Sequence, residues 1–253
     1  MEIADLLRLY DTEFRARPRV LPGRRLEQVD GVLLITGLSN FVCHWAFPED
    51  DAAGVISRVA NRFRDGAGLT WDVYAHDRPA HLGRPLSAHG FVEEHRSTLM
   101  MLDLAAGAPA MPAGIEVRRV ADRAALGDFV RVSAEAFGAS ADWQFDAFAD
   151  RLDADEDLLF NAYLDGEAAG SSRIEMTRGS KFAGLFGGAV SPRFQGRGLY
   201  RAMVAARAGE AKTRGVRYLC TGALETSRPI LERLGFAPIT TITRWRLPAG
   251  RET

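Results

Sequence analysis

The sequence predicts an α/β (α+β) chain built as two tandem mixed-sheet domains flanked by helices. Three observations carry that expectation. Apolar runs of strand length alternate along the chain with segments of 3.6-residue apolar periodicity. A pattern recurs in the two halves: Arg84-Pro85 leads into His89-Gly90-Phe91 and a strand, and Arg228-Pro229 leads into Leu234-Gly235-Phe236 and a strand. In each half the order before it is strand, longer helix, strand. Between the halves, residues 105–114 form an Ala/Gly/Pro run without periodicity, which reads as a linker.

In chain order, residues 2–16 read as a helix with Ile3, Leu6, Leu7 and Tyr10 on one side, broken by Pro18 and Pro22. Val32 to Thr36 and Asn40 to Phe47 read as strands, the second stopped by Pro48. Asp50 or Asp51 is expected to cap a helix through Phe63, with Val55, Ile56, Val59 and Phe63 on its apolar face. A strand at Leu69 to Tyr74, a short helix ending at His89-Gly90-Phe91, and a strand at Arg96 to Leu104 complete the first half. The second half opens with a strand at Ile115 to Val120 and helices at Asp122 to Phe137 and Trp143 to Leu152. Strands at Leu158 to Leu164 and Ala168 to Met176 turn at Asp165-Gly166, a strong hairpin signal. Next come an apolar strand, Phe182 to Val190, a helix closed by Gly215, and a strand at Val216 to Ala223. Ser227 is placed to cap a short helix with Pro229 in its first turn and Gly235 at its end, and Ile239 to Leu247 is the last strand. The expected division is residues 1–104, a linker at 105–114, and residues 115–253.

The 253 residues are 47% hydrophobic, enough for a sizeable core. A net charge of -1 without a basic tail speaks against nucleic-acid binding. Cys43 and Cys220 make neither a disulfide framework nor a zinc site, and no metal is expected. The acidic start lacks a signal-peptide core, and no apolar run is long enough to span a membrane. A cytoplasmic protein without membrane contact is expected, either monomer or homodimer.

The stretch from Gly187 to Gly215 organises the chain. A buried strand ends at Pro192, and Gln195-Gly196-Arg197-Gly198 opens a helix whose Leu199, Ala202, Met203 and Ala206 share one face. The first turn of a helix has N–H groups without intrahelical partners and the positive end of the macrodipole. Glycines let an anion approach those amides, and Arg193, Arg197 and Arg201 surround the turn. The turn has neither the Gly-Lys-Ser/Thr of a P-loop nor a GxGxxG.

Arg193-Phe194-Gln195-Gly196-Arg197-Gly198, after a strand ending Val190-Ser191-Pro192, resembles the Q/R-x-x-G-x-G/A coenzyme A motif of the GNAT acyltransferases. Leu231 to Phe236, Leu-Glu-Arg-Leu-Gly-Phe, is similar to the ending of that family's last helix. The resemblance implies two tandem GNAT-like domains, the second binding acetyl-CoA. Its implied cofactor-binding residues are Gly188, Ala189, Val190, Arg193, Gln195, Gly196, Arg197, Gly198, Leu199 and Tyr200. The first half has Pro48 to Gly54, with Glu49, Asp50 and Asp51, where the second has its glycine-arginine turn. Acidic side chains there satisfy the helix end and repel a pyrophosphate, so a degenerate domain without a CoA loop is expected.

The implied reaction is transfer of acetyl to a primary amine by direct attack on the thioester. A backbone amide of the fourth strand, Val190 foremost, stabilises the carbonyl oxygen. Glu225 is the leading base, with Glu175 and Asp142 as others, and Ser227 or water is the proton source. The five histidines, His44, His76, His81, His89 and His95, all lie in the first half. The chain departs from the family at Leu231, where a tyrosine acid often stands, and at Leu224, where an asparagine is common. Trp143, Phe145 and Phe148, beside Asp142, Asp146 and Asp150, suit a small cationic amine. The competing functions are a CoA-binding regulatory module without turnover and an α/β binding domain without CoA.

Overall fold

The computed structural model describes residues 1–64 and 66–250. The chain divides into two compact units. The first takes in Met1–Met100, Gly222–Pro229 and the stretch from Pro238 onward; the second takes in Met101–Thr221 and Ile230–Ala237.

In the first unit, β1 (Arg25–Val29), β2 (Val32–Thr36), β3 (Phe41–Trp45), β4 (Leu69–Tyr74), β11 (Ala237–Leu247) and β5 (Val92–Asp103) are neighbours in the order β1-β2-β3-β4-β11-β5. β1 is an addition to the expected strands. Its Arg25, Glu27 and Gln28 hide the alternation, but it forms a register-exact hairpin with β2. The turn uses Asp30 (φ 49°) and Gly31 (φ 77°), the left-handed pair a tight hairpin needs. A Cβ on Gly31 would meet Ala46 O at 2.3 Å. β11 runs antiparallel to β4 from Ile242↔Tyr74 to Leu247↔Leu69, and Arg244 grips Asp72 through Nε (2.7 Å) and Nη2 (2.6 Å).

The helices of this unit are α1 (Ile3–Tyr10), continued by a π-helical turn at Asp11–Arg15, α2 (Ala52–Phe63) and α3 (Gly83–Ala88). The apolar stripe expected on α2, Val55, Ile56, Val59 and Phe63, is buried against Val32, Leu34, Trp45 and Trp71. Trp71 is fully buried and meets Trp45 and Phe91 edge-on, at 5.4 and 6.0 Å between ring centroids. The capping expectation fails: Asp51 is the N-cap of α2, but its side chain caps nothing and pairs with Arg58 at 3.6 Å. A 3-10 turn at Glu49–Asp51 leads into the helix in place of a side-chain cap.

In the second unit the strand order is β10 (Tyr218–Ala223), β9 (Phe182–Val190), β8 (Glu167–Met176), β7 (Asp157–Leu164), β6 (Ile115–Arg119). β6 to β9 are antiparallel neighbours, and β10 joins β9 in parallel. The β7–β8 hairpin turns at Asp165-Gly166, as expected, with φ of 53° and 81°. α4 (Arg123–Phe137) is capped by Asp122, whose carboxylate accepts from Ala125 N at 2.8 Å, and ends at Gly138 (φ 66°). α5 (Asp142–Phe148) is shorter than its periodicity suggested. α6 (Leu199–Thr213) and α7 (Arg228–Arg233) follow. Asn161 Nδ2 donates to Ala125 O at 2.7 Å, which marks the sheet face under α4. Gly170 and Ala162 lie against Met203, which marks the face under α6.

Candidate active site

The site grows out of β9. Its pairing with β10 covers only Tyr218↔Phe182, Leu219↔Ala183 and Cys220↔Gly184. The last tie is Thr221 Oγ1, which donates to Leu185 O at 3.0 Å. From Phe186 to Val190 the β10 side of β9 therefore has no ladder partner among the described residues, and its backbone polar groups are open to a ligand.

A β-bulge shapes that edge. Ser171 stands opposite Ala189 and Arg173 opposite Phe186, so Gly187 and Gly188 contribute one residue too many. Gly187 has φ +56°, which a residue with a side chain adopts only with strain. Ser191 N donates to Ala169 O at 2.9 Å, which makes Val190–Gly170 a non-hydrogen-bonded pair. The Val190 N–H is thereby turned away from β8 toward the open edge, whereas Ala189 spends its amide on the ladder. A Cβ on Gly188 would stand 2.9 Å from the Tyr200 ring. Gly188→Ala is expected to push that ring aside and cost about 1–3 kcal/mol in a urea melt; an unchanged midpoint would show that the ring is free to move.

Beyond Val190 the chain makes a 3-10 turn at Pro192–Phe194 and reaches α6 through Gly196 (φ 77°) and Gly198 (φ 88°). Gly198 is the N-cap, no side chain caps the helix, and its first turn carries no acidic residue. Ala202 N is the first helical donor satisfied, on Gly198 O at 3.0 Å. The preceding amides of Leu199, Tyr200 and Arg201 face the loop, at the positive end of the dipole. Ser191 fixes the start of the loop: its hydroxyl bonds Glu135 of α4, and with Arg131 it holds that carboxyl below its ordinary pKa.

The expected cofactor residues divide by role. Gly188, Val190, Gly196 and Gly198 line the open edge and the turn. Leu199 is buried in the core, so only its amide serves the turn. Gln195 is exposed at the turn. Arg193 is engaged with Glu167 and lies over the Phe194 ring at 4.7 Å. Arg201 Nε donates to Ala110 O at 3.2 Å. Arg197 lies over Phe194 at 5.6 Å and has no carboxylate partner among the described residues, so its charge is free for an anion.

Of the expected catalytic side chains, Glu225 is exposed, and Ser227 donates its hydroxyl to Leu224 O at 3.1 Å. Both belong to the segment Gly222–Pro229 of the first unit, whereas Val190 belongs to the second. Leu231 is 1% exposed, so the position of the family's tyrosine is filled by core packing.

One buried arginine, Arg207, and one partly buried, Arg173, were missed by the sequence reading. Arg173, on the α4 face of β8, reaches Asp157 at 3.2 Å and Glu175 at 3.5 Å between the rings of Phe148 and Phe186. The expected aromatic Phe148 and the alternative base Glu175 are thus brought to one cluster. Arg207 continues the buried face of Leu199 and Met203 on α6. A charge at the fourth residue after Met203 on an apolar stripe was the signal.

The first unit has its own charged cluster. Asp11, His76 and Asp77 place ligand-type atoms within 4.8 Å of one another, but the guanidinium of Arg15 occupies both carboxylates. Arg15 Nη1 donates to Asp11 at 2.8 Å and Asp77 at 2.7 Å, and its guanidinium carbon lies 3.9 Å from the Tyr74 ring centroid. This is an ion-pair network tying α1 to the end of β4.

Fold and site together define an α/β protein in which an unpaired strand edge runs into an uncapped helix N-terminus, an arrangement chemically suited to an anionic ligand with an extended arm. Residues 126–236 match the model of the Acetyltransferase (GNAT) family. The fold of the chain is that of a GCN5-related N-acetyltransferase from Kribbella flavida (TM-score 0.73, 16% identity, 98% of this chain and 96% of that chain). It is also that of a tandem GNAT protein from the clavulanic acid biosynthesis pathway (TM-score 0.64, 18% identity, 99% and 96%). A GCN5-related N-acetyltransferase from Sphaerobacter thermophilus is similar as well (TM-score 0.62, 18% identity, 99% and 87%). No curated protein matches the sequence. The expected α/β class with tandem GNAT-like mixed sheets is therefore borne out.

Proposed function

We propose that the chain is an acetyl-CoA-dependent N-acetyltransferase acting on a primary amine, with a small molecule as acceptor. The observation that carries the reading is the unpaired β9 edge running directly into the uncapped N-terminus of α6. That continuity suits a ligand with an amide-bearing arm and a diphosphate. The amides after Gly198 and the free Arg197 hold the diphosphate, and the arm pairs with the edge from Gly188 to Val190.

In the reaction a neutral amine attacks the thioester carbonyl. The Val190 N–H, fixed outward by the ladder, donates to the oxygen as it gains charge. Glu225 takes the proton of the ammonium, directly or through water, and Ser227 supplies a proton to the products. The acidic Glu49–Asp51 turn supports the reading that the first domain holds no CoA. The Arg173–Asp157–Glu175 cluster carries two carboxylates and one guanidinium, and with Phe148 and Phe186 it suits an acceptor whose cationic amine sits on an apolar body.

A panel of small amines with acetyl-CoA, followed by thiol release, tests the activity. Glu225→Gln is expected to lower kcat by about 10²–10⁴; wild-type turnover in that variant would remove Glu225 from the mechanism. The buried Leu231 favours one second reading, a CoA-binding regulatory module. That reading predicts CoA binding with no turnover on any amine.

A further inference from the structure

Arg207 lies on the buried face of α6 with 1% of its surface exposed. Its Nε donates to Met203 O at 3.0 Å and its Nη1 to Arg173 O at 3.2 Å. Its Nη2 is buried without a hydrogen-bond partner, and no carboxylate among the described residues pairs with the guanidinium. Nη2 lies 3.8 Å from the point where a Cβ on Gly188 would stand, the point at which the Tyr200 ring also converges. Burial pushes the pKa down to about 10, with Tyr200 as the titratable neighbour that opposes it, so the group stays charged at neutral pH.

A buried cation without a counter-ion is costly, and an apolar side chain of similar length is often the more stable choice. Gly188 of the bulge, on the strand that carries the open edge, thus stands next to this cation, with the Tyr200 ring beside both. At that edge the acyl-CoA reading needs a site for negative charge on the leaving sulfur before Ser227 or water protonates it, because Leu231 leaves no tyrosine there.

We propose that Arg207 is the charge that stabilises the departing thiolate of acyl-CoA, acting across Gly188. The inference rests on the acyl-CoA reading above. In the step the amine nitrogen forms the C–N bond and the C–S bond breaks. Sulfur leaves with the bonding pair, and the proton of the amine passes to the base or to water. Arg207 keeps its own proton throughout. The titratable group facing it is Tyr200 on α6; from β8 it meets the backbone carbonyl of Arg173, whose guanidinium lies on the other face of the sheet with Asp157 and Glu175.

The test is an ultraviolet pH titration of the thiol of CoA bound to the full chain, in wild type, Arg207→Met and Arg207→Lys. A free thiol titrates near 8.5. In the wild type and Arg207→Lys the bound thiol is expected about one unit lower; in Arg207→Met it is expected at or above the free value. Arg207→Met is also expected to keep its acetyl-CoA thermal shift, to melt no lower than wild type, and to lose about tenfold in kcat with KM little changed. A bound thiol titrating at or above 8.5 in the wild type overturns the proposal whatever the variants do. So does an unchanged thiol pKa in Arg207→Met. Failure of the underlying reading is separate: the wild type would then show no thermal shift with CoA.

Discussion

Replacing Gly198 with aspartate is expected to abolish the stabilisation of the protein by acetyl-CoA. At a hundred times Kd a ligand stabilises the folded state by about 2.7 kcal/mol. Gly198 is the N-cap of α6 at φ +88°, where it leaves the first-turn amides free. An aspartate there puts a carboxylate at the positive end of the helix and repels the diphosphate it displaces. The variant should fold, because aspartate tolerates a left-handed cap better than most residues and a Cβ at this point meets nothing nearer than 3.6 Å. Arg197→Glu is expected to weaken the same stabilisation by reversing a charge of the turn that no carboxylate holds among the described residues. A melt of Gly198→Asp with millimolar acetyl-CoA decides the matter: a shift equal to wild type would show that CoA, if it binds, does not use this turn.

The second large effect is on stability. Arg15→Met is expected to cost about 3–5 kcal/mol in a urea melt, because it strands the buried carboxylate of Asp77 and the partly buried one of Asp11. Burial opposes the charge of Arg15, but Asp77, Tyr74 and Asp11 outweigh it and hold its pKa above the ordinary value. Burial likewise opposes ionised Asp11, and His76 with Arg15 outweighs it, so its carboxyl is held below the ordinary aspartate value. A carboxylate with a depressed folded pKa stabilises above its unfolded pKa and loses that stabilisation as pH falls through the folded value. The first unit should therefore become acid-labile below about pH 4, and Arg15→Met should remove part of that pH dependence. A midpoint within 1 kcal/mol of wild type would show that the network is too solvated to matter.

The second half was more legible than the first, for physical reasons. Phe182–Val190 is bounded by turns and rich in buried residues, and it matches its expected limits. The glycine-arginine turn was visible because only glycine fits φ near +80° next to an anion site. β1 was hidden because an edge strand with Arg25, Glu27 and Gln28 shows no apolar alternation, although Asp30-Gly31 marked its turn. Arg207 and Arg173 were hidden because composition does not distinguish a buried arginine from a solvated one. The outward direction of the Val190 amide depends on the β8–β9 register, which the β9 sequence alone does not encode. The Asp51 cap failed because an arginine two turns on, Arg58, competes for the carboxylate.

The placement of β11 bears on how the protein is made. This strand lies between β4 and β5 in the first unit, yet β4 ends at Tyr74 and β11 begins at Ala237. A nascent chain that has emerged as far as α6 holds the first four strands and their tryptophan core, but the neighbour of β4 has not been synthesised. The exposed edge of β4 must wait through the synthesis of the whole second sheet, a long-range closure that slows folding and invites association with other chains. The usual order, with the N-terminal domain finished first during translation, is inverted here: the second unit closes around β6 to β10 while the first still awaits its last strand.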